Sequence, residues 1–175
     1  TPSETLTDYF KRSKNVKSAV LAILANPNCP SEIPDFLIKS GKVDTDILRA
    51  ISLSPNASKF ALAELIKNNV ISAHHGISKN PNSTQVMLRI LCLKSSDQSV
   101  HLNVVFHPAL ENKCPDELFS VKSDYVVKTI AETMELNESQ IIACLKSKSL
   151  KKALLKNPNL SAEILSTLFD TLDES

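Results

Sequence analysis

His74 and His75 stand side by side, His101 and His107 follow, and Cys29, Cys92, Cys114 and Cys144 are spread along the chain. Imidazoles and thiolates are common metal ligands, bases and nucleophiles, so chemistry would start at these side chains. Zinc and iron-sulfur sites normally draw on close pairs such as C-x-x-C, and no two of these cysteines are so spaced. Neighbours on a helix point about 100° apart, so His74 and His75 cannot share a metal or a proton by themselves. His74 and His101 are the one pair that a helical register could bring into a column. A catalytic cysteine would also need a base and an electropositive setting, which nothing near the four cysteines supplies. The expectation is therefore no metal, no cofactor and no catalysis, with reduced, buried cysteines in a cytoplasmic protein.

The balance of 20 basic against 19 acidic residues, a formal net charge of +1, excludes a global field that would draw nucleic acid or an anionic membrane. Only two glycines occur, Gly41 and Gly76, too few for a Gly-rich phosphate loop or for the tight hairpins of an all-β fold. The longest apolar run, AVLAILA from Ala19 to Ala25, is far short of the roughly 20 residues a membrane span needs. An apolar fraction of 42% over 175 residues suffices for a sizeable core, so a soluble helical protein is expected.

The elements that would position these residues repeat. NPN occurs at 26–28, 80–82 and 157–159, with SPN at 54–56, and the turn prolines are Pro27, Pro55, Pro81, Pro108 and Pro158. With Met134 in the slot of a missing copy, the steps are 28, 26, 27, 26 and 24 residues, the period of a helical solenoid. Three residues before each turn stand Ile23, Ile51, Ile77, Val104, Ile130 and Leu154. Small or polar residues precede them, Ala22, Ala50, Gly76, Asn103, Thr129 and Ala153, and Ser18, Asp46, Ser72, Ser99 and Ser149 are read as N-caps of a short first helix. After the turn, apolar positions at spacings 3, 4, 7 and 8 describe one face of a second helix, with Glu32, Glu117 and Glu163 in its first turn.

Thr1–Phe10 fits that second pattern, with Leu6, Tyr9 and Phe10 in its core columns. The chain thus starts halfway through a repeat, as a piece of a longer protein would. The spacing predicts helices near 2–13, 18–25, 30–40, 45–53, 58–68, 71–79, 84–94, 99–106, 115–122, 124–132, 137–147, 149–156 and 161–172. About five extra residues in HPALENKCP predict a bulging loop or a loosened pair. The asparagines at 26, 80 and 157 are predicted to sit at equivalent turns, where their side chains bond turn backbone.

NPNCPSEI, NPNLSAEIL and the opening TPSETL resemble the variant leucine-rich repeat, an α-helical family allied in architecture to HEAT-like and armadillo-like solenoids. As a period the resemblance covers nearly the whole chain, although the copies at 54, 80 and 133 keep only the apolar skeleton. It implies an all-α, right-handed α-α superhelix of about six short helix-pair repeats spanning 1–175, and an interaction role. The iron-sulfur cluster of one member of that family has no counterpart in these cysteines.

Stacked repeats would align the column five before each turn: Leu21, Arg49, His75, Leu102, Lys128 and Lys152. With His74, His101 and Lys151 beside it, and Lys146, Lys148 and Lys156 extending it, this is a discontinuous basic strip. Arg49, His75, Lys128, Lys151 and Lys152 are the candidate partner-binding residues of a protein-interaction scaffold. The alternative is a HEAT-like nucleic-acid module or a DNA-repair-type enzyme with a basic groove. The absence of tryptophan and the near-balanced charge weigh against that alternative. Oligomeric state and partner identity stay open.

Overall fold

Apolar stripes at helical spacing become helices close to where the sequence puts them. The computed structural model describes residues 3–166, and these are all-helical, with one isolated β-bridge and no named strand. The chain divides into two compact units, Thr1–Ser96 and Asp97–Ser175. The first holds α1 (Ser3–Ser13), α2 (Lys17–Leu24), α3 (Glu32–Ser40), α4 (Thr45–Leu53), α5 (Lys59–Lys67), α6 (His74–Lys79) and α7 (Gln85–Lys94). The second holds α8 (Gln98–Val105), α9 (Asp116–Phe119), α10 (Asp124–Thr133), α11 (Glu138–Leu145) and α12 (Lys148–Leu154), with helix resuming at 162–166. Pro2 and the end of the expected 161–172 helix, with its core positions Leu168 and Phe169, lie outside the described residues. No helix among those described is long and apolar enough to cross a membrane.

Each unit is built of two rows. In the first, α2, α4 and α6 pack in series, and α3, α5 and α7 form a second row that α1 joins through the edge-to-face contact of Phe10 and Phe36, 5.8 Å apart. In the second, α8, α10 and α12 pack in series, with α9 against α8 and α11 against α12. The column three before the turn seals the rows: Ile23, Ile51 and Ile77 in one unit and Val104, Ile130 and Leu154 in the other are at most 2% exposed. Burying such a side chain fully contributes about 1.5–3 kcal/mol, so this column is a main source of stability. Gly76 lets α6 approach α4: a Cβ there would lie 2.0 Å from Ser52 Oγ and 2.9 Å from its backbone carbon.

The N-cap positions of α2, α4, α8 and α12 are Val16, Asp44, Asp97 and Ser147, two residues before the caps read from sequence, whereas that of α6 is Ala73, one residue after Ser72. Asp44, Asp97 and Ser123 cap α4, α8 and α10 by accepting from Ile47, Ser99 and Val126 N–H at 3.0, 2.8 and 3.4 Å. Asp46 and Ser99 fall inside the helices instead, as do Ser18 and Ser149, and in α4 and α8 it is Asp44 and Asp97 that accept the first-turn N–H groups. Tyr9 also departs from expectation: Leu6 and Phe10 are buried, but Tyr9 is 52% exposed on the rim of a groove with Thr5, Ala22 and Asn26.

The recurring turn is a tight one. Cys29, Ala57, Ser83 and Leu110 N–H return to the carbonyls of Asn26, Ser54, Asn80 and His107 at 2.9–3.1 Å, with proline presetting the second position. The extra residues after Pro108 do not hang loose. Glu111 and Asn112 take left-handed backbone (φ 50° and 64°), and Lys113 pairs in parallel with Glu135 through Cys114 N–H to Glu135 O (3.1 Å) and Glu135 N–H to Asn112 O (2.8 Å).

Candidate functional site

At four of the turns the first side chain works inward on its own loop, whereas the Ser54 hydroxyl is buried without a hydrogen-bond partner. Asn26, Asn80 and Asn157 Oδ1 accept from Asn28, Asn82 and Asn159 N–H at 2.9, 3.0 and 2.8 Å. His107, in the same slot, accepts from Ala109 N–H through Nδ1 at 3.1 Å, which fixes that ring as part of a turn. The amide nitrogens then reach across to the preceding turn. In the first unit Asn80 Nδ2 donates to Ser52 O and Ser54 O, both at 2.9 Å, and Asn82 Nδ2 to Pro55 O and Ala57 O, both at 3.0 Å. Asn56 Nδ2 does the same to Pro27 O and Cys29 O at 2.5 and 3.1 Å. In the second unit Asn157 Nδ2 donates to Ala131 O and Met134 O (2.9 and 2.8 Å), and Asn159 Nδ2 to Thr133 O (3.0 Å). The expected intra-turn role is therefore present, and a ladder between turns is added to it.

The other histidines differ in their surroundings. His74 is buried and His75 exposed, as neighbours on a helix must be when one faces the core. Burial first, and the charge of Lys94 second, hold the His74 imidazole below its ordinary pKa, and its Nε2 is buried without a hydrogen-bond partner. His101 is also buried. Among the described residues no group of three or more His, Cys, Asp or Glu is placed to hold a metal ion.

The cysteines are packing groups. Cys29 and Cys114 share a slot and donate to the carbonyls of Pro30 and Pro115, at 3.6 and 3.5 Å. Burial pushes the Cys29 thiol up to about 11, helped by Glu32, and burial alone pushes Cys144 to about 11. At neutral pH both are thiols, and the thiolate is the nucleophile. None of the four forms a disulfide with another.

The basic candidates fall in both units. Arg49 on α4 and His75 on α6 are exposed in the first; Lys128 on α10 and Lys152 on α12 are exposed in the second, with Lys151 half-buried. Because α10 packs on α12, Lys128 and Lys152 occupy matching positions on adjacent helices. The nearby Glu132 is already held by Lys156 at 3.2 Å.

A second surface was not singled out from the sequence. On the second row of the first unit, Phe36, Phe60 and Val86 are 49, 42 and 65% exposed. Lys14 sits over the Phe36 ring at 5.9 Å and Lys39 over the Phe60 ring at 5.1 Å. Between α5 and α7 runs a groove of about 520 Å³ lined by Ala63, Ile66, Lys67, Val86, Met87 and Ile90, with Thr84 and Lys94 at its edge. The signal was present: Phe36, Phe60, Val86 and Ile90 are apolar residues outside the 3, 4, 7, 8 core spacing, so burial in the row cannot account for them. No family model, curated protein or solved structure matches this chain.

Proposed function

We propose that the chain is a non-catalytic helical-repeat scaffold for protein-protein interaction, a single right-handed α-α solenoid of the variant leucine-rich, HEAT-like kind that works in the cytoplasm. The observation that carries this reading is the asparagine ladder. The same side-chain amide, at the same turn slot, ties successive turns in both units, which is how a one-dimensional array holds its repeats in register. Arrays of this kind leave extended exposed surfaces, and binding along such a surface is their usual use. Thiols held protonated by burial support a packing role for the cysteines in a reducing compartment.

The test is affinity capture on the purified chain, followed by titration with the purified captured protein. A saturable protein complex is expected. Arg49→Glu, Lys128→Glu and Lys152→Glu combined should weaken that complex if the basic column is the contact, and unchanged affinity removes the column. Generic DNA bound tightly at low salt, with affinity falling steeply as salt rises and with no saturable protein complex, overturns the scaffold reading in favour of the nucleic-acid module.

A further inference from the structure

We propose that the outer face of α3, α5 and α7 docks an acidic amphipathic helix of a partner protein, with the α5/α7 groove as its anchor pocket. This rests on the scaffold reading and names the surface and the partner's chemistry.

Shape comes first. The face is concave where α5 meets α7, and a groove of about 520 Å³ falls in the ~300–1,000 Å³ range of clefts that bury an inserted group. Its floor is aliphatic, with Ile66, Met87 and Ile90, and Val86 stands 65% exposed at its side. A bilayer surface is flat and would leave such a groove unfilled, whereas a side chain of a docked helix enters it. No sheet edge is present among the described residues, so a partner cannot add by strand pairing, and a groove lined by apolar side chains with no aromatic among them suits the apolar face of a helix rather than a Pro-rich segment.

Spacing agrees. Packed helices lie about 8–10 Å apart, and residues seven apart on a helix are separated by about 10.5 Å along its axis. Phe60 and Val86, each the second residue of its helix on neighbouring helices of the row, therefore match apolar residues at i and i+7 of a helix laid across the row, and Phe36 lies about one turn farther along α3.

Charge decides the flank. Lys67 and Lys94 line the groove and Lys59 opens α5, while the carboxylate of α5, Glu64, is already taken by Lys67 at 3.1 Å. Lys14 and Lys39 have ring faces for neighbours and no carboxylate partner among the described residues. A lysine held over an exposed phenylalanine covers the ring while keeping its ammonium available, so it offers an incoming Glu or Asp a placed cation. The carboxylates of α3, Glu32 and Asp35, sit in its first turn, where Asp35 is engaged by Ser58 Oγ, and on α1 Asp8 pairs with Lys11 at 3.5 Å.

Selection from a displayed library of 18–20-residue amphipathic helices with acidic, neutral or basic flanks, panned on the full chain, tests this. Acidic-flanked members with apolar residues at i and i+7 should be enriched. Val86→Glu with Ile90→Glu should abolish their binding. Lys14→Glu with Lys39→Glu should weaken it about tenfold and turn the preference toward basic flanks, as expected of rim charges. All four positions are exposed or half-buried, and an unchanged circular dichroism melt checks that each variant folds. Enrichment of basic or neutral flanks, no enrichment, or binding indifferent to Val86→Glu/Ile90→Glu overturns the proposal. So does Val86-dependent binding to phosphatidylglycerol vesicles or to single-stranded DNA without peptide enrichment. If the protein captured on the wild-type chain still binds the Val86→Glu/Ile90→Glu variant, this face is wrong and the scaffold reading stands.

Discussion

A single amide decides much of the local energetics. Asn80 is 3% exposed, and its side chain serves three backbone groups: it donates to Ser52 O and Ser54 O and accepts from Asn82 N–H. Each such bond contributes about 0.5–1.5 kcal/mol net, and a buried group left without a partner costs about 1–3 kcal/mol. Asn80→Ala is therefore expected to lower the unfolding free energy by about 2–4 kcal/mol in urea titration. Asn56→Ala, whose two acceptors lie nearer solvent, should cost less than half as much, and equal losses would contradict the ladder's energetics. His74 is the opposite case, a buried imidazole with an unpartnered Nε2 and a pKa held below 6.5. The unfolded chain then binds the proton more readily than the folded one, so stability falls as pH drops through 6.5 toward the folded value and levels off below it. His74→Leu, in a column that holds Val20, should raise stability and flatten that acid limb. Chemical melts at pH 7.5 and 5.5 measure both effects, and an unchanged acid limb would show that another group causes it.

Among the elements, the helices were legible because two signals coincide: an apolar stripe at helical spacing and a proline that stops it. Cap placement was not, since Asp44 and Asp46 are equally good caps by type and only the packing of α4 selects Asp44. The loop after Pro108 could be seen as extra length, but its pairing with Glu135 depends on a turn far along the chain. The ladder was half legible: an Asn before proline announces a bond within the turn, while the reach of Nδ2 to the previous turn depends on how closely helices approach. Gly76 sets that approach between α4 and α6. Helix propensity alone favours Gly76→Ala by about 1 kcal/mol. Against it, the added Cβ meets Ser52 at 2.0 Å (Oγ), 2.7 Å (Cβ) and 2.9 Å (backbone carbon), so α4 and α6 must part. Overpacking of this kind costs about 1–3 kcal/mol, so net destabilisation is expected in a thermal melt. Ser52→Ala removes only the hydroxyl and should not rescue it; a stabilised Gly76→Ala would mean that the helices separate freely.

For the molecule as a whole, several of the chemistry-bearing residues named from sequence are buried or bonded within the fold: His74 and His101 in the core, His107 in a turn, and Cys29 and Cys144 as buried thiols, while His75 is exposed. The sequence marks Phe36 and Val86 as apolar residues outside the core spacing, but that they share one exposed face shows only once their row is assembled. The two compact units, each tied by its own amides, make a further consequence testable. In a nearest-neighbour array, loss of one rung loosens the repeats it joins and leaves distant ones nearly unchanged. Asn157 is 4% exposed, and its Nδ2 holds Ala131 O and Met134 O, which joins the turn after α12 to the turn after α10. Asn157→Ala should therefore speed amide hydrogen exchange in α10 and α12 about tenfold or more, for a local loss of about 1.4 kcal/mol or more, while exchange in α4 and α6 stays within about twofold of the wild-type chain. Hydrogen-exchange mass spectrometry resolves the two regions directly. Equal acceleration in both would mean that the chain opens as one cooperative body, and that stability in this fold is not carried turn by turn.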